Sequence, residues 1–215
     1  MSSYSLSLEG NDGDIIHVDA TVPMMHPEQC TFAVSQPLYP SCSAHFAGKE
    51  RSMGSPLIDK LFDLGVVNDV VVAHDTLTIN LRDELRDEAG WEHHIPRVGA
   101  VIQDVLRSGK DAIAPAVTKS LLPPEELRAR VQKVLDELIN PAIAAHGGFV
   151  NLLNVANNTV YLQFSGGCHG CGMIAVTLKY GVERAIREQV PEAGEILDTT
   201  DHAAGRNPYY GRTSK

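Results

Sequence analysis

Two cysteines in a glycine-rich segment are the residues of this 215-residue chain with the clearest chemical potential. The segment reads Gly166-Gly-Cys168-His-Gly-Cys171-Gly172. Two thiols at this spacing can point to one centre, because the turn between them brings both sulfurs to the same side. The glycines permit the positive φ angles that such a turn needs, and they leave backbone N–H groups uncovered as donors to an anion. The spacing predicts a metal or redox centre at Cys168 and Cys171.

Three kinds of chemistry fit this pair: an iron–sulfur cluster, thiol–disulfide exchange and structural zinc. Thioredoxin-like exchange belongs to a βαβ unit of a parallel sheet, whereas the strands before this loop predict a hairpin, so topology argues against it. Zinc needs two further ligands, and His169 is the one local candidate. Two buried, inert cysteines are disfavoured by the glycine loop.

A cluster needs more thiolates than this segment holds, since iron–sulfur clusters are typically bound by four cysteines. Two-fold symmetry removes the shortage, because two chains can each supply Cys168 and Cys171 to one cluster between them. Cys30 and Cys42 could complete a set within one chain instead. They lie in the other half of the chain, without a glycine loop, and we interpret them as small core or surface thiols.

The elements around the cysteines follow from the spacing of apolar residues. Periods of three to four predict helices, and alternation predicts strands. In order we expect a helix, two strands, a helix and a strand, at Pro124–Ala145, Phe149–Val155, Thr159–Phe164, Ile174–Ile186 and Glu195–Thr200. Asn157 and Asn158 tolerate positive φ and predict a tight turn between the first two strands. This α-β-β-α-β order places the cysteine loop at a helix N-terminus, which lowers thiol pKa values and favours a bound anion.

The first half of the chain predicts a separate mixed domain. Strands are expected at Ile15–Val22, Cys30–Val34, Val70–Ala73 and Thr76–Leu81, and helices from Ser55-Pro56 and from Pro96 to Arg107. His93 and His94 are interpreted as surface residues. Prolines at 115, 123 and 124 indicate a semi-rigid linker. The fold class is therefore α+β with two small domains, at 1–110 and 125–200, with a linker at 111–124 and a tail at 201–215.

Composition and charge exclude several classes of function. The chain holds 18 Lys and Arg against 27 Asp and Glu, giving a net charge of −9. An acidic chain without a basic run disfavours binding to nucleic acid or to an anionic membrane surface. No apolar run reaches the ~18 residues of a membrane span, and Met1–Asp14 lacks the features of a secretory signal. We expect a cytoplasmic protein whose thiols stay reduced.

The cysteine loop and its flanks resemble the C-terminal-type domain of NifU that is found in the Nfu iron–sulfur carriers. The likeness covers about residues 125–200 and rests on Asn140-Pro141, His146-Gly-Gly-Phe-Val150, Phe164-Ser-Gly-Gly-Cys168-His-Gly-Cys171, Thr177-Leu-Lys179 and Gly181-Val-Glu183. The ending, with Asp201-His202 and Asn207-Pro-Tyr-Tyr210, is similar to the tail of bacterial Nfu proteins. The first half resembles the Nfu N-terminal domain through Ser55-Pro-Leu57, Leu61-Phe62, Gly65-Val66, the strand Thr76–Leu81, Trp91 and Ser108-Gly109.

This resemblance implies an iron–sulfur cluster scaffold or carrier from a bacterium, and not an enzyme. A homodimer would bridge one [4Fe–4S] cluster through Cys168 and Cys171 of each chain and deliver it to apo-proteins. The implied partners are a second copy of the chain, apo iron–sulfur enzymes and an upstream cluster scaffold. The alternative is a dithiol oxidoreductase or thiol chaperone that uses the same cysteine pair.

Overall fold

The computed structural model describes residues 2–10, 14–82, 90–144, 147–166 and 172–199, with the backbone alone at 166 and 172–177. Contacts divide the chain into two compact units, Met1–Leu121 and Leu122–Lys215. We call them the first unit and the second unit. Both combine helices with strands, so the expected α+β class with two domains is confirmed. Among the described helices, none is long and apolar enough to cross a lipid bilayer.

The first unit is a six-stranded antiparallel sheet with helices against its core side. Its elements are β1 Ser2–Glu9, β2 Ile15–Val22, β3 Gln29–Val34, β4 Tyr39–Phe46, α1 Pro56–Asp63, β5 Val67–His74, β6 Thr76–Leu81, α2 Gly90–Arg107 and α3 Pro115–Ser120. The strands are ordered β1-β2-β3-β6-β5-β4. The expected hairpin around His74 and Asp75 is confirmed, since Ala73 pairs with Thr76.

Alternating residues of these strands build the core, as a half-buried sheet requires. In β6, Leu77, Ile79 and Leu81 are buried, while the residues between them are half-buried on the other face. Helix α2 lies close to β1 at Gly99, where an added Cβ would stand 2.7 Å from the Leu6 side chain. A small residue at this helix position therefore lets α2 approach the sheet edge. Neither β1 nor β4 was expected from the sequence.

Helix α2 begins earlier than the sequence predicted. Pro96 was taken as the first helical residue, but the helix starts at Gly90 and contains Pro96 in its interior. Proline lacks a backbone N–H and clashes with the carbonyl four residues earlier, which disfavours this arrangement locally. Burial of Trp91 and Ile95 offsets that cost, and the Trp91 ring meets Phe32 edge-on with centroids 5.9 Å apart. Tertiary packing therefore stabilises a helix that continues through a proline.

The segment before the second unit contains a short helix and buried side chains, whereas its prolines had indicated a semi-rigid linker. Pro115–Ser120 is helical, and Ala112, Ile113 and Val117 are buried in the core of the first unit. Ser55 is the N-cap residue of helix α1, but its side chain makes no capping hydrogen bond. Its hydroxyl accepts a hydrogen bond from the Ala114 N–H at 2.9 Å instead. Residues 112–117 are therefore part of the first unit's packed structure.

The second unit has the predicted α-β-β-α-β order. Its elements are α4 Pro124–Val134, a π-helical turn Leu135–Ile139, α5 Asn140–Ala144, β7 Gly148–Ala156, β8 Thr159–Gly166, α6 Gly172–Gln189 and β9 Ile196–Asp198. Asn157 and Asn158 form the expected tight turn with φ of 52° and 62°. Strands β7 and β8 are antiparallel, and β9 pairs parallel to β8. One sheet face packs on the helices, through Val150, Val160, Leu162, Phe164 and Ile196.

Candidate functional site

The candidate site is the segment that connects strand β8 to helix α6. Strand β8 ends at Gly166 and helix α6 begins at Gly172. The intervening residues 167–171, which include Cys168, His169 and Cys171, lie outside the described residues. The two elements that flank the segment, and the contacts that hold those elements, define its surroundings.

Helix α6 gives the segment an electropositive neighbour. The helix has 18 residues and starts directly after the second cysteine. Its aligned peptide dipoles amount to roughly half a positive charge at the N-terminus, and its first N–H groups have no partner within the helix. Val182 and Ile186 bury the helix against the sheet. A thiolate or an anionic cluster beside Gly172 would therefore be stabilised electrostatically.

Two glycines lie opposite each other where the cysteine segment leaves strand β8. Gly166 stands opposite Gly148 across the hairpin, and Phe149 stands opposite Ser165. The Ser165 hydroxyl donates to the Phe149 carbonyl at 3.2 Å, which ties the two strands together where the loop leaves them. The paired glycines add no side chain at the loop's base. The Phe149 side chain beside this strand end is 45% exposed.

A buried asparagine holds the open edge of strand β7. The Asn140 Nδ2 donates to the Val150 carbonyl at 3.1 Å, and the Val150 N–H donates to Asn140 Oδ1 at 2.8 Å. The amide thus replaces a neighbouring strand at this point. Further along β7, Arg128 donates to the Leu153 carbonyl at 3.2 Å. These contacts occupy backbone groups on the open edge of the sheet. The first of them holds β7 at Val150, two residues after Gly148.

Charged side chains lie between helix α6 and strand β9. Lys179 Nζ is 3.7 Å from the Glu183 carboxylate, and Arg187 donates to the carbonyls of Ala193 and Gly194 at 3.3 and 2.9 Å. Burial raises the pKa of Glu183 above its ordinary value, although Lys179 and Arg187 oppose the rise. Asp198 on β9 is buried nearby and adds to the rise. Arg187 therefore ties the segment before β9 to the helix that follows the cysteine loop.

The two cysteines of the first unit are structural. Cys30 is fully buried in the core, and burial raises its pKa to about 12. Cys42 is half-buried; burial raises its pKa, although a hydrogen bond with Tyr39 lowers it. Both thiols are free rather than disulfide-bonded. The raised pKa of each disfavours the thiolate, which is the form that ligates iron or attacks a disulfide. This agrees with their interpretation as core or surface thiols.

The interpretation of His94 as a surface residue is wrong. His94 is only 8% exposed and its ring meets Trp91 edge-on with centroids 6.3 Å apart. Burial lowers its pKa, and Arg97 and His93 lower it further. His93 is exposed, as expected. Across the part of the chain that the structure describes, no group of three or more His, Cys, Asp and Glu side chains could hold a metal ion.

Sequence reasoning missed the residues that support the loop from a distance. Asn140 was noted only for its resemblance to a family motif, and its role at the strand edge depends on the fold. A polar residue directly before Pro141, inside an otherwise apolar helical stretch, was the available signal. The burial of Asp198 had no signal of its own, because its short strand is polar at that position.

Comparison with known sequences supports the resemblance over both units. Residues 131–197 match the family described as NifU-like domain, and residues 20–109 match the family described as scaffold protein Nfu/NifU N terminal. The Fe/S biogenesis protein NfuA of Xanthomonas euvesicatoria pv. vesicatoria is 45% identical over 102 residues, 47% of this chain and 48% of that protein. NfuA of Pseudomonas savastanoi pv. phaseolicola is 46% identical over 88 residues, 39% of this chain and 45% of that protein.

The matched part spans about half the length of these curated relatives. Fold and sequence together define a two-unit α+β protein in which a loop with two cysteines links a strand to a helix N-terminus. The two matches lie on the same chain in this order, so the chain combines a domain of the Nfu/NifU N-terminal type with a NifU-like domain, as the sequence resemblance predicted.

Proposed function

We propose that this protein carries iron–sulfur clusters in the bacterial cytoplasm. Cys168 and Cys171 of two chains bind one [4Fe–4S] cluster between them, and the cluster passes to apo-proteins. The observation that carries the proposal is the position of the cysteine segment between the end of β8 and the first residue of α6. That position offers thiolates, uncovered backbone N–H groups and a positive helix end to an anionic cluster.

The distribution of cysteines supports sharing between two chains. Four thiolates usually hold a cubane cluster, and the segment after β8 provides two. The first unit does not supply the missing pair, because Cys30 is a protonated core thiol and Cys42 is half-buried. A second copy of the same segment supplies two equivalent thiolates under two-fold symmetry.

Transfer proceeds by exchange of ligands. A thiolate of the recipient attacks an iron atom, a cysteine thiolate of the carrier leaves that iron, and the exchange repeats until the cluster has moved. No substrate bond is made or broken catalytically, so the protein is a carrier rather than an enzyme. Its partners are apo iron–sulfur proteins and the scaffold that supplies the cluster. The first unit serves as the module that recognises recipients.

The proposal is tested by anaerobic reconstitution with iron and sulfide, followed by metal and sulfide analysis of the species separated by size. We expect about two irons and two sulfides per chain in a dimer, since one cubane is shared by two chains. Transfer is then measured as recovery of activity in an apo-enzyme that requires a [4Fe–4S] cluster.

Cysteine variants provide the matched controls. Cys168→Ser and Cys171→Ser should abolish cluster binding, whereas Cys42→Ser and Cys30→Ala should retain it. Alanine is chosen at position 30 because a hydroxyl would be buried there. Zinc without sulfide, or a Cys168–Cys171 disulfide that forms during turnover, would contradict the proposal. The disulfide would favour the dithiol oxidoreductase or thiol chaperone.

A further inference from the structure

Within the described residues, the strands of the second unit contribute no charged side chain to one face of their sheet. Its in-register pairs Phe149–Ser165, Asn151–Gln163 and Tyr161–Leu197 point away from the helices. Among the residues of strands β7, β8 and β9, Asp198 alone carries a formal charge, and it is buried on the helix side. This contrasts with a chain whose charged residues make up 21% of the whole. We call this surface the uncharged face.

The end of the uncharged face nearest the cysteine segment exposes an aromatic ring. Phe149 is 45% exposed and lies opposite Ser165, one residue before Gly166. Gln163, two residues further from the segment, is also exposed. A molecule that meets the sheet at this end, where strand β8 leads into the cysteine segment, contacts Phe149. Exposed aromatic side chains of this kind are typical centres of protein–protein contacts.

The charge pattern favours a second copy of this chain as that molecule. Residues 122–215 hold nine Lys and Arg against ten Asp and Glu, so the second unit carries charges of both signs in nearly equal number. In a two-fold interface the same patch of both subunits meets, and charges on the patch would oppose their own copies. The uncharged face avoids this repulsion, whereas a patch adapted to a charged partner would carry the complementary charge.

We propose that the uncharged face, with Phe149 at the end nearest the cysteine segment, is the contact through which two chains approach to share a cluster. The inference rests on the proposed function and names its interaction surface. Three strands spaced ~4.8 Å apart give a face on the order of 300 Å², below the ~800 Å² per partner of a standard interface. The face alone therefore supports a weak dimer, and cluster ligation by both chains completes it.

The proposal is tested on the reconstituted full-length protein by sedimentation velocity over a dilution series under anaerobic conditions. Phe149→Ser should raise the dissociation constant of the cluster-loaded dimer about tenfold, as expected for truncation of an aromatic contact residue. Leu153→Ser is the matched control, because Leu153 is 48% exposed on the same strand but lies farther from the cysteine segment. It should change the constant less than about twofold. Far-UV circular dichroism verifies the fold of both variants.

Substitution of Gln163 distinguishes a second copy from a charged partner. Gln163→Glu and Gln163→Lys should both weaken the dimer, because either charge loses water in a contact without a counter-charge. Rising salt should not weaken the wild-type dimer, since no ion pair holds it and screening reduces repulsion between two acidic chains.

The outcomes separate this inference from the proposed function. A wild-type dimer with cluster, together with a Phe149→Ser variant indistinguishable from it, would overturn the uncharged face as the contact and leave the carrier function standing. Equal weakening by Leu153→Ser would overturn it as well. Opposite effects of Glu and Lys at position 163 would indicate a charged partner instead of a second copy. Absence of cluster from the wild type would remove both the function and this inference.

Discussion

In the first unit the cysteines belong to strands of a sheet, whereas in the second unit they follow a strand and directly precede a helix. Cys30 is enclosed by core side chains, and its thiol keeps its proton far above neutral pH. For Cys168 and Cys171, which lie outside the described residues, we propose that the neighbouring glycines and the N-terminus of helix α6 favour the thiolate. The difference teaches that the reactivity of a cysteine is set by its burial and by the electrostatic field around its sulfur, so a cysteine in the sequence is not by itself a reactive thiol.

The outer faces of the two sheets also differ, because one carries charged side chains and the strands of the other contribute none. In the first unit, Asp69 accepts hydrogen bonds from Asn68 and Asn80 and lies 3.6 Å from His45. Polar and charged side chains there satisfy one another across neighbouring strands. In the second unit, the corresponding face carries amides, hydroxyls and an exposed Phe149 without charges. Charged groups on the first face have partners within the unit, and we propose that the second face meets another protein surface.

Thiol reactivity gives the largest expected contrast between the units. At pH 8, a thiol with a pKa of about 12 is ionised to ~0.01%, against about a quarter for an ordinary cysteine, so the thiolate fraction of Cys30 should be roughly two thousandfold smaller. The apo protein treated with a colour-forming disulfide reagent should show a fast phase from Cys168 and Cys171. The Cys168→Ser, Cys171→Ser double variant should lose that phase. A fast phase that persists in the double variant would contradict the expected difference in thiol reactivity between the two units.

Loss of the Asn140 amide should affect the second unit strongly and the first unit hardly at all. Asn140→Ala removes both hydrogen bonds to Val150 and leaves its buried N–H and carbonyl without their partner, at a cost of about 2–3 kcal/mol in the free energy of unfolding. Hydrogen exchange of the second unit measures the effect. The chain's single tryptophan, Trp91, reports separately on the first unit by fluorescence. Asn154→Ala, at an exposed position on β7, is the control and should cost less than about 0.5 kcal/mol.

Acid should weaken the first unit through Asp69. Burial raises the pKa of this carboxyl, but contacts with His45, Asn80 and Asn68 outweigh burial and hold it below its ordinary value of 3.8. Because the folded-state pKa is lowered, the stabilisation is complete above pH 3.8 and is lost as the pH falls through the folded value. Asp69→Asn should reduce the free energy of unfolding by about 1–2 kcal/mol at pH 6, and the difference should shrink in acid.

Denaturant titration followed by Trp91 fluorescence measures this effect, with the exposed Asp111→Asn as control. A difference between wild type and Asp69→Asn that persists unchanged at pH 3 would contradict the assigned role.

The smallest expected effect has the opposite sign and lies in the second unit. The pKa of Glu183 is raised in the folded state, so its protonated form is favoured and its ionisation opposes folding as the pH rises above the ordinary value of 4.5. Glu183→Gln should therefore stabilise the second unit by roughly 0.5 kcal/mol at pH 7 and have no such effect in acid. Hydrogen exchange at the two pH values measures it. A loss of stability at pH 7 would show that the ion pair with Lys179 outweighs burial.

Local sequence patterns predicted the helices, strands and turns whose signals lie within their own residues. Alternation in Thr76–Leu81 and helical spacing across Pro124–Val134 are confirmed, as is the turn at Asn157 and Asn158. Strand β1 was missed although Tyr4, Leu6 and Leu8 alternate, because the serines between them weaken the apolar signal. Its partners β2 and α2 stabilise it, and neither pairing can be read from residues 2–9 alone.

The same division applies to the candidate site. The sequence by itself determined the two cysteines, the glycines around them and their place between a strand and a helix, because those features are local and consecutive. Tertiary structure decided that Asn140 closes the edge of β7, that Asp198 is buried beside α6, that Cys30 is a protonated core thiol, and that Phe149 stands exposed beside the segment. These properties depend on which distant elements exclude water from a side chain, and exclusion of water is a result of packing that no short stretch of sequence contains.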